Sequence, residues 1–555
     1  MLSFRNFQSA NKEFFHEKQE IIVAGAGYSD GVGDFDHIIN SGSALSKYFK
    51  VKYFIQFQSV YKCNESILKG EIKRIGYCIA LFYEKKIISV NKFTVLKELI
   101  EISEKKLLVE EIEEFHEFML SCREQIRACL NEAEDNFPGI YFMFTQDVNV
   151  TNSNFSKSDL DFLKKEFKYA KCLVTVSAII QLQLKFDQKK RFDFYHCFKE
   201  IPSFVLLEHG GKSASTKTFP IDPIDKEIIF LGMRTFEVAN MCFLPNKNRE
   251  IPGIFLENKL NQSADTIIKS LECIQNKNFW NLISCIVENN GSKQGALEEI
   301  IRDTLFIPSY FVHGKEYGLS MIINAYCATI NCFEEENLII QGDFKVEEIT
   351  SSEMIEKLRN FGFSKIYFTS DDLKKESPEC LDISECIENG KILKILRNTF
   401  LSHSDYVHFK NLSRKFIGCS GDNSFQDAIS YGVIPLFMPN KKGGKIAFIE
   451  SLIDLLKKDN TGNWENPINF LEIYTKTPKL ENRNLDYKVY SEKMSFCCPE
   501  LFIEWRSLCE YLINNFNAHD YLREKIEDTI KLAAECEATP SVEENHSAGV
   551  GFRPR

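Results

Sequence analysis

Within "FIGCSGDNSFQDAISYGVIPLF", residues 416 to 437, a polar loop separates two apolar runs, and its residue types are those that hold anions. Gly421 lets a backbone approach a ligand closely, Ser424 offers a hydroxyl, and Asp422 and Asn423 stand where a helix begins. A helix start leaves backbone N–H groups unpaired and carries partial positive charge, so this loop can either hold a phosphate or cap itself. A second constellation, "GAGYSDGVGDFDH" at 25 to 37, brings Gly33, Asp34, Asp36 and His37 to another helix start, where Asp34 is equally placed to cap. Glu208 and His209 close the run "SFVLLEHGG", at the kind of strand end where open α/β sheets bind ligands.

Several better-known motifs fail on spacing. The third glycine of a dinucleotide fingerprint would fall at Asp30, and a P-loop reading of "EHGGKSAST" requires glycine where Leu206 stands. "DFD" at 34 to 36 and "DLD" at 159 to 161 open helices rather than end strands, so no metal is expected. The 18 cysteines include no C-x-x-C, which points to reduced thiols and a cytoplasmic setting.

The elements that must position these residues alternate. Apolar runs at 20 to 24, 51 to 57, 74 to 83, 139 to 146, 171 to 180 and 203 to 211 are expected as strands, and 35 to 49 as a helix. Residues 93 to 134 have helical period and are expected as a helical insertion whose charges line a solvated face. A second strand-helix series begins near 305, so two α/β domains are expected in tandem, 1 to 300 and 301 to 516. A helix at 517 to 536 follows, then a tail at 537 to 555 with little to bury, expected to be disordered. The net charge of -11 argues against a general binder of nucleic acid or anionic membrane, and no window approaches the apolar length of a membrane span.

Three stretches resemble bacterial protein-arginine rhamnosyltransferases of the GT-B class: "GYSDGVGDF" (27 to 35), "SYFVHGKEYGLSMIINAY" (309 to 326) and "FLSHSDYVHFKNLSRKFIGCSGDNSFQDAISYGVIPLF" (400 to 437). The resemblance implies two Rossmann-like domains, the first for the acceptor and the second for a nucleotide-sugar donor, with the C-terminal helix crossing back. It implies Asp34 as catalytic base and Asp422 in place of a family glutamate. Asn423 and Ser424 would face the diphosphate. Phe400, His403 and Tyr406 would surround the nucleobase, with Tyr406 stacking on it. His313, Lys315 and Glu316 would lie near sugar or phosphates. The family loop reads R-G-E-D-S, so the missing arginine leaves the diphosphate charge to backbone amides and to Lys315, Arg414, Lys441 or Lys442. The implied activity is metal-independent, inverting transfer of a hexosyl or deoxyhexosyl group, with no cofactor and with a protein side chain among the candidate acceptors. A nucleotide-sugar epimerase or hydrolase of the same fold, and a non-catalytic interaction protein, are the alternatives. A bacterial effector delivered into a host cell without a signal peptide is compatible with the composition.

Overall fold

The computed structural model describes residues 18–27, 33–57, 65–107, 112–132, 139–144, 164–176, 203–207, 235–239, 254–284, 293–311, 314–369, 377–384, 390–397, 403–438, 444–476 and 487–538. Strand β1 (Glu20–Gly27) carries Ile21, Ile22, Val23 and Ala24, all fully buried. A strand apolar on both faces belongs inside a parallel sheet covered by helices on each side. It pairs in parallel with β2 (Lys50–Phe57) and β4 (Cys172–Val176). With β3 (Ile140–Phe144), β5 (Ser203–Leu207) and β6 (Thr235–Ala239) the order is β3-β2-β1-β4-β5-β6, the doubly wound order that reverses between β1 and β4. Helix α1 (Gly33–Leu45) packs tightly on β1, because a Cβ at Gly25 would lie 2.2 Å from Ile38 Cδ1.

Helices α2 (Glu65–Glu84), α3 (Val90–Leu107) and α4 (Ile112–Asn131) separate β2 from β3. Residues 74 to 83, expected as a strand, are the second half of α2. Ile75, Cys78, Ile79 and Phe82 are buried there at i, i+3, i+4 and i+7, and that period decides against the strand-like composition. The charged stretch at 93 to 134 is not solvated throughout. Arg123 is buried and donates from Nε and Nη2 to the Glu71 carboxylate at 2.7 and 2.6 Å, fastening α4 to α2. A two-pronged pair of this kind can enter a core because neither charge is left unpaired.

The second sheet has the order β10-β9-β11-β8-β7-β12-β13. Its strands are β7 (Thr304–Tyr310), β8 (Asn337–Gly342), β9 (Phe363–Phe368), β10 (Glu379–Asp382), β11 (Lys391–Arg397), β12 (Phe416–Cys419) and β13 (Ile434–Phe437). β10 is antiparallel to β9 and the other pairs are parallel, so this sheet reverses between β7 and β12. Helices α5 (Ala264–Cys273), α6 (Lys277–Ser284) and α7 (Lys293–Asp303) share a core with Phe306, Ile339 and Leu396 of this sheet. The expected division at 300 therefore does not coincide with the packing, which assigns these helices to the second sheet.

Further along come α8 (Gly318–Ala328), α9 (Val346–Ile349), α10 (Ser352–Asn360), α11 (His403–Asn411), α12 (Asp422–Tyr431), α13 (Gly444–Lys458) and α14 (Glu465–Lys476). The last helices are α15 (Tyr487–Lys493), α16 (Pro499–Asn515) and α17 (Ala518–Ala538). The chain crosses between domains twice, side by side. Ile254 donates to the Phe516 carbonyl at 2.9 Å and accepts from Ala518 N–H at 2.8 Å. α17 then packs on the first domain through Leu522, Ile526 and Ile530, at i, i+4 and i+8, while α16 stays in the second core. The fold is thus α/β, two tandem Rossmann-like domains with a helical insertion and a C-terminal helix crossing back. No described helix is long and apolar enough to cross a membrane.

Candidate functional site

The second sheet brings two helix starts to the edge where its order reverses. β12 is wholly buried, and it hands the chain through Ser420 to Gly421, the extended residue that opens α12. Cys419 pairs with Tyr310, the last residue of β7, so both strands deliver their C-terminal ends to one place. Phe425 anchors α12 edge-on against Phe437 and Phe448, which leaves the start of the helix at the sheet edge. The Ser424 hydroxyl accepts from Gly421 N–H at 3.2 Å and donates to the Gly421 carbonyl at 3.0 Å. The loop therefore caps itself in the free chain, through a serine bond that a phosphate oxygen can replace.

The neighbouring start, that of α8, is already filled. Glu348 of α9 accepts hydrogen bonds from the backbone of Ser320 and Leu319, and its second oxygen, Oε1, is buried without a partner. Burial pushes this carboxyl up to about 7, with Glu316 adding to the rise and the backbone bonds opposing it. An anion entering from solvent would have to displace this side chain from α8.

Several residues singled out in the sequence reach these surroundings. Lys315 pairs with Asp343 at 2.8 Å and both are exposed; Glu316 is exposed beside Glu348. Tyr406 is half-buried on α11, with Lys410 Nζ 5.2 Å from its ring centroid, so one side of the ring already has an occupant. Burial raises its phenol far above the usual tyrosine value and keeps it neutral. Arg414 lies at the opposite end of β12 and donates to the Ile301 and Thr304 carbonyls, so it is not at the loop. Gly33 and Asp34 open α1, and Asp422 and Asn423 open α12, as His403 opens α11. The side chains of Asp34, His403, Asp422 and Asn423 lie outside the description, as do Glu208, His209, His313, Phe400, Lys441 and Lys442 altogether.

On the first domain, Asp36 accepts a hydrogen bond from Tyr77 of α2 and feels Lys410 and Asp427 of the second domain. Burial pushes its carboxyl up to about 6, against the pull of the Tyr77 bond and of Lys410. His37 points elsewhere: it is buried, its ring 5.9 Å from Phe255 of the interdomain connection, and Phe255 in turn lies 4.8 Å from His519. Burial lowers His519 to about 4.

Two residues were not marked in the sequence. Tyr310 is 57% exposed at the strand reversal, close enough to Tyr406 to act on its titration. Its place at the end of an apolar strand was the available clue. Tyr77 was hidden inside the stretch expected as a strand.

Two Rossmann-like domains, a paired crossing between them and a last helix returned to the first domain define one arrangement. The architecture is GT-B. No protein-family model matches the chain, and no curated protein matches it in sequence. Solved structures align along most of it. An α-glucosyltransferase in complex with UDP and a 13-mer DNA aligns at 8% identity and TM-score 0.36, over 92% of this chain and 100% of that one. Phytolacca americana UGT2, complexed with UDP-2fluoro-glucose and pterostilbene, aligns at 9% identity and TM-score 0.34, over 95% and 97%. The Methanocaldococcus jannaschii UDP-GlcNAc 2-epimerase in complex with UDP-GlcNAc and UDP aligns at 11% identity and TM-score 0.22, over 83% and 99%. At these values the likeness assigns no residue and no reaction.

Proposed function

We propose that this chain is a glycosyltransferase that moves a hexosyl or deoxyhexosyl group from a nucleotide sugar to an acceptor, with inversion and without a metal. The observation that carries the reading is the pair of helix starts at the second sheet's reversal. One is filled by Glu348, and the other, with Gly421 and Ser424, is closed among the described residues by its own first turn. The donor diphosphate would sit on the start of α12, with Gly421, Asn423 and Ser424 around it and Asp422 at its edge. Phe400, His403 and Tyr406 would take the nucleobase, and His313, Lys315 and Glu316 the sugar side. Gly33, Asp36, His37, Glu208 and His209 belong to the acceptor side in this reading, with His37 acting from behind through the interdomain connection.

In the reaction Asp34 would take the proton from the acceptor nucleophile as that atom bonds to the anomeric carbon. The bond to the nucleoside diphosphate breaks on the opposite side, and the leaving charge falls on the positive end of α12. The resemblance to protein-arginine rhamnosyltransferases supports a protein side chain as acceptor. Delivery into a host cell belongs to the same reading.

Thermal shift against a panel of nucleotide sugars identifies the donor, since a ligand that binds only the folded chain raises its melting temperature. With that donor, Asp34→Asn is expected to reduce transfer at least a thousandfold while leaving donor affinity within about twofold. Retained turnover in Asp34→Asn would remove Asp34 as the base.

A further inference from the structure

The segment that crosses from the first domain to the second divides its contacts at one carboxylate. From Glu257 onward it belongs to the second domain. Glu257 N–H donates to Ser430 Oγ at 3.0 Å, Lys259 N–H to the Ser430 carbonyl at 3.1 Å, and Arg506 Nη2 to the Leu260 carbonyl at 2.7 Å. Ile254, Leu256 and Leu260 are buried in that domain's core. The first domain holds the segment through Phe255, which packs on its core, and through Lys85, just past the end of α2. The Glu257 carboxylate thus has one oxygen for each domain: Oε1 pairs with Lys85 at 2.7 Å and Oε2 with Lys259 at 2.9 Å.

The charges of the seam where α11 packs on α2 sort by domain in the same way. On the first-domain side Asp36 is bonded to Tyr77. On the other side Lys410 binds Asp427 at 2.6 Å and Lys259 binds Glu257. With Lys85 these make three positive and three negative side chains, so the closed seam is balanced. Among the described residues, the ion pair that reaches across it is Lys85 to Glu257. If the sides part, Asp36 keeps Tyr77, Asp427 keeps Lys410 and Glu257 keeps Lys259. Lys85 returns to water at the C-terminal end of α2, where the helix dipole favours a cation. The side chains of Lys85 and Glu257 are already 18% and 35% exposed, so water reaches the pair without a further opening. No charge is left buried and alone on either side, and that is the cost that holds other buried pairs shut.

We propose that the seam between α2 and α11 is a parting surface, hinged where the two crossings pair at Ile254 and Asn517, and that Lys85 with Glu257 is its latch. At the hinge Ile254 is bonded to both neighbours of Asn517, and Asn517 Nδ2 donates to the Leu256 carbonyl at 3.1 Å, so the two crossings turn together. α1 travels with the first domain and α12 with the second. Parting therefore draws the start of α1 away from the start of α12, and the latch governs access to the cleft between them. The latch is read on the chain alone and does not rest on sugar transfer.

Hydroxyl-radical footprinting of the full chain at neutral pH, with no donor present, tests it. Lys85→Met removes the latch and leaves Glu257 with Lys259, so the variant is expected to fold. In it Tyr77 on α2 and Tyr406 on α11 should be oxidised about threefold faster or more than in the unmodified chain. Tyr326 and Tyr474, buried in the second core, should keep their rates. Lys85→Arg should restore the slow rates. High salt should speed Tyr77 and Tyr406 in the unmodified chain and change them little in Lys85→Met, because it screens the same pair. Small-angle scattering should give Lys85→Met a larger radius of gyration than Lys85→Arg. Unchanged rates at Tyr77 and Tyr406 in Lys85→Met overturn the proposal. An equal rise at Tyr326 and Tyr474 also overturns it, because Lys85 would then support the whole fold rather than the seam.

Discussion

Two helices begin at the same edge of the second sheet, and they treat negative charge in opposite ways. α8 follows β7 and α12 follows β12, and the two strands are neighbours. At α8 a carboxylate from another helix, Glu348, occupies the backbone donors. At α12 the capping groups come from the first turn itself, Gly421 and Ser424. Equal helix dipoles thus give unequal sites. A helix start is available to a ligand only where the fold has not already spent its donors on a buried partner.

The largest test of that contrast is on donor binding. Asp422→Ala combined with Ser424→Ala should cost about 2–3 kcal/mol of affinity, roughly thirty- to a hundred-and-fifty-fold, by calorimetry with the donor found by thermal shift. Glu348→Ala should leave the same affinity within about twofold. Should Glu348→Ala change affinity strongly and the double variant leave it intact, the two starts have been assigned the wrong way round.

The next test is the pH dependence of stability. Glu348 holds its proton to about 7 in the folded chain, against 4.5 when unfolded. Its contribution is therefore complete below about pH 4.5 and is lost as pH rises through 7. Denaturant unfolding should show up to about 2–3 kcal/mol of this loss between pH 4.5 and pH 8, and Glu348→Gln should flatten it. An unchanged slope in Glu348→Gln would mean that the α8 start does not hold a protonated carboxyl. Asp422→Ala, at the other start, should leave the slope in place.

The contrast itself was only half legible in the sequence. "SGDNS" could be read as an anion loop because its glycine, serine and helix start are adjacent, and β1, α1 and β2 could be read because period and burial agree locally. Glu348 could not, since it lies in the charged run "KVEEIT" and reaches the start of α8 only through the fold. The same holds for Asp36 and Lys410, which come from different domains, and for Glu71 and Arg123, which look like solvated charges until α2 and α4 pack together. Within 74 to 83 the helical period was present, but aromatic and β-branched residues masked it over so short a run. Local patterns specify elements, whereas the neutralisation of a buried charge is a property of the packed chain.

The Arg123 and Glu71 pair shows the same rule on the first domain, with a larger cost to stability: a buried charge is harmless only while its partner stays. Arg123→Met should cost about 3–5 kcal/mol in denaturant unfolding because it strands Glu71, and a second change, Glu71→Leu, should return much of that loss. If the double variant is no more stable than the single one, the cost comes from packing of the arginine stem rather than from the unpaired carboxylate.

The smallest expected effect sharpens the contrast most finely. Lys315 lies three residues before the α8 start in sequence and pairs with Asp343, both side chains more than half exposed. A pair so placed is worth little in water, so Lys315→Met should change stability by no more than about 0.5 kcal/mol. The same exposure leaves the ammonium free to leave Asp343 for a diphosphate, in partial replacement of the arginine missing before Gly421. Donor affinity in Lys315→Met should then fall about three- to tenfold, and the fall should shrink at high salt. If affinity is unchanged at low salt, the α12 start holds the diphosphate without a side-chain cation from this loop, and the difference between the two helix starts rests on backbone donors alone.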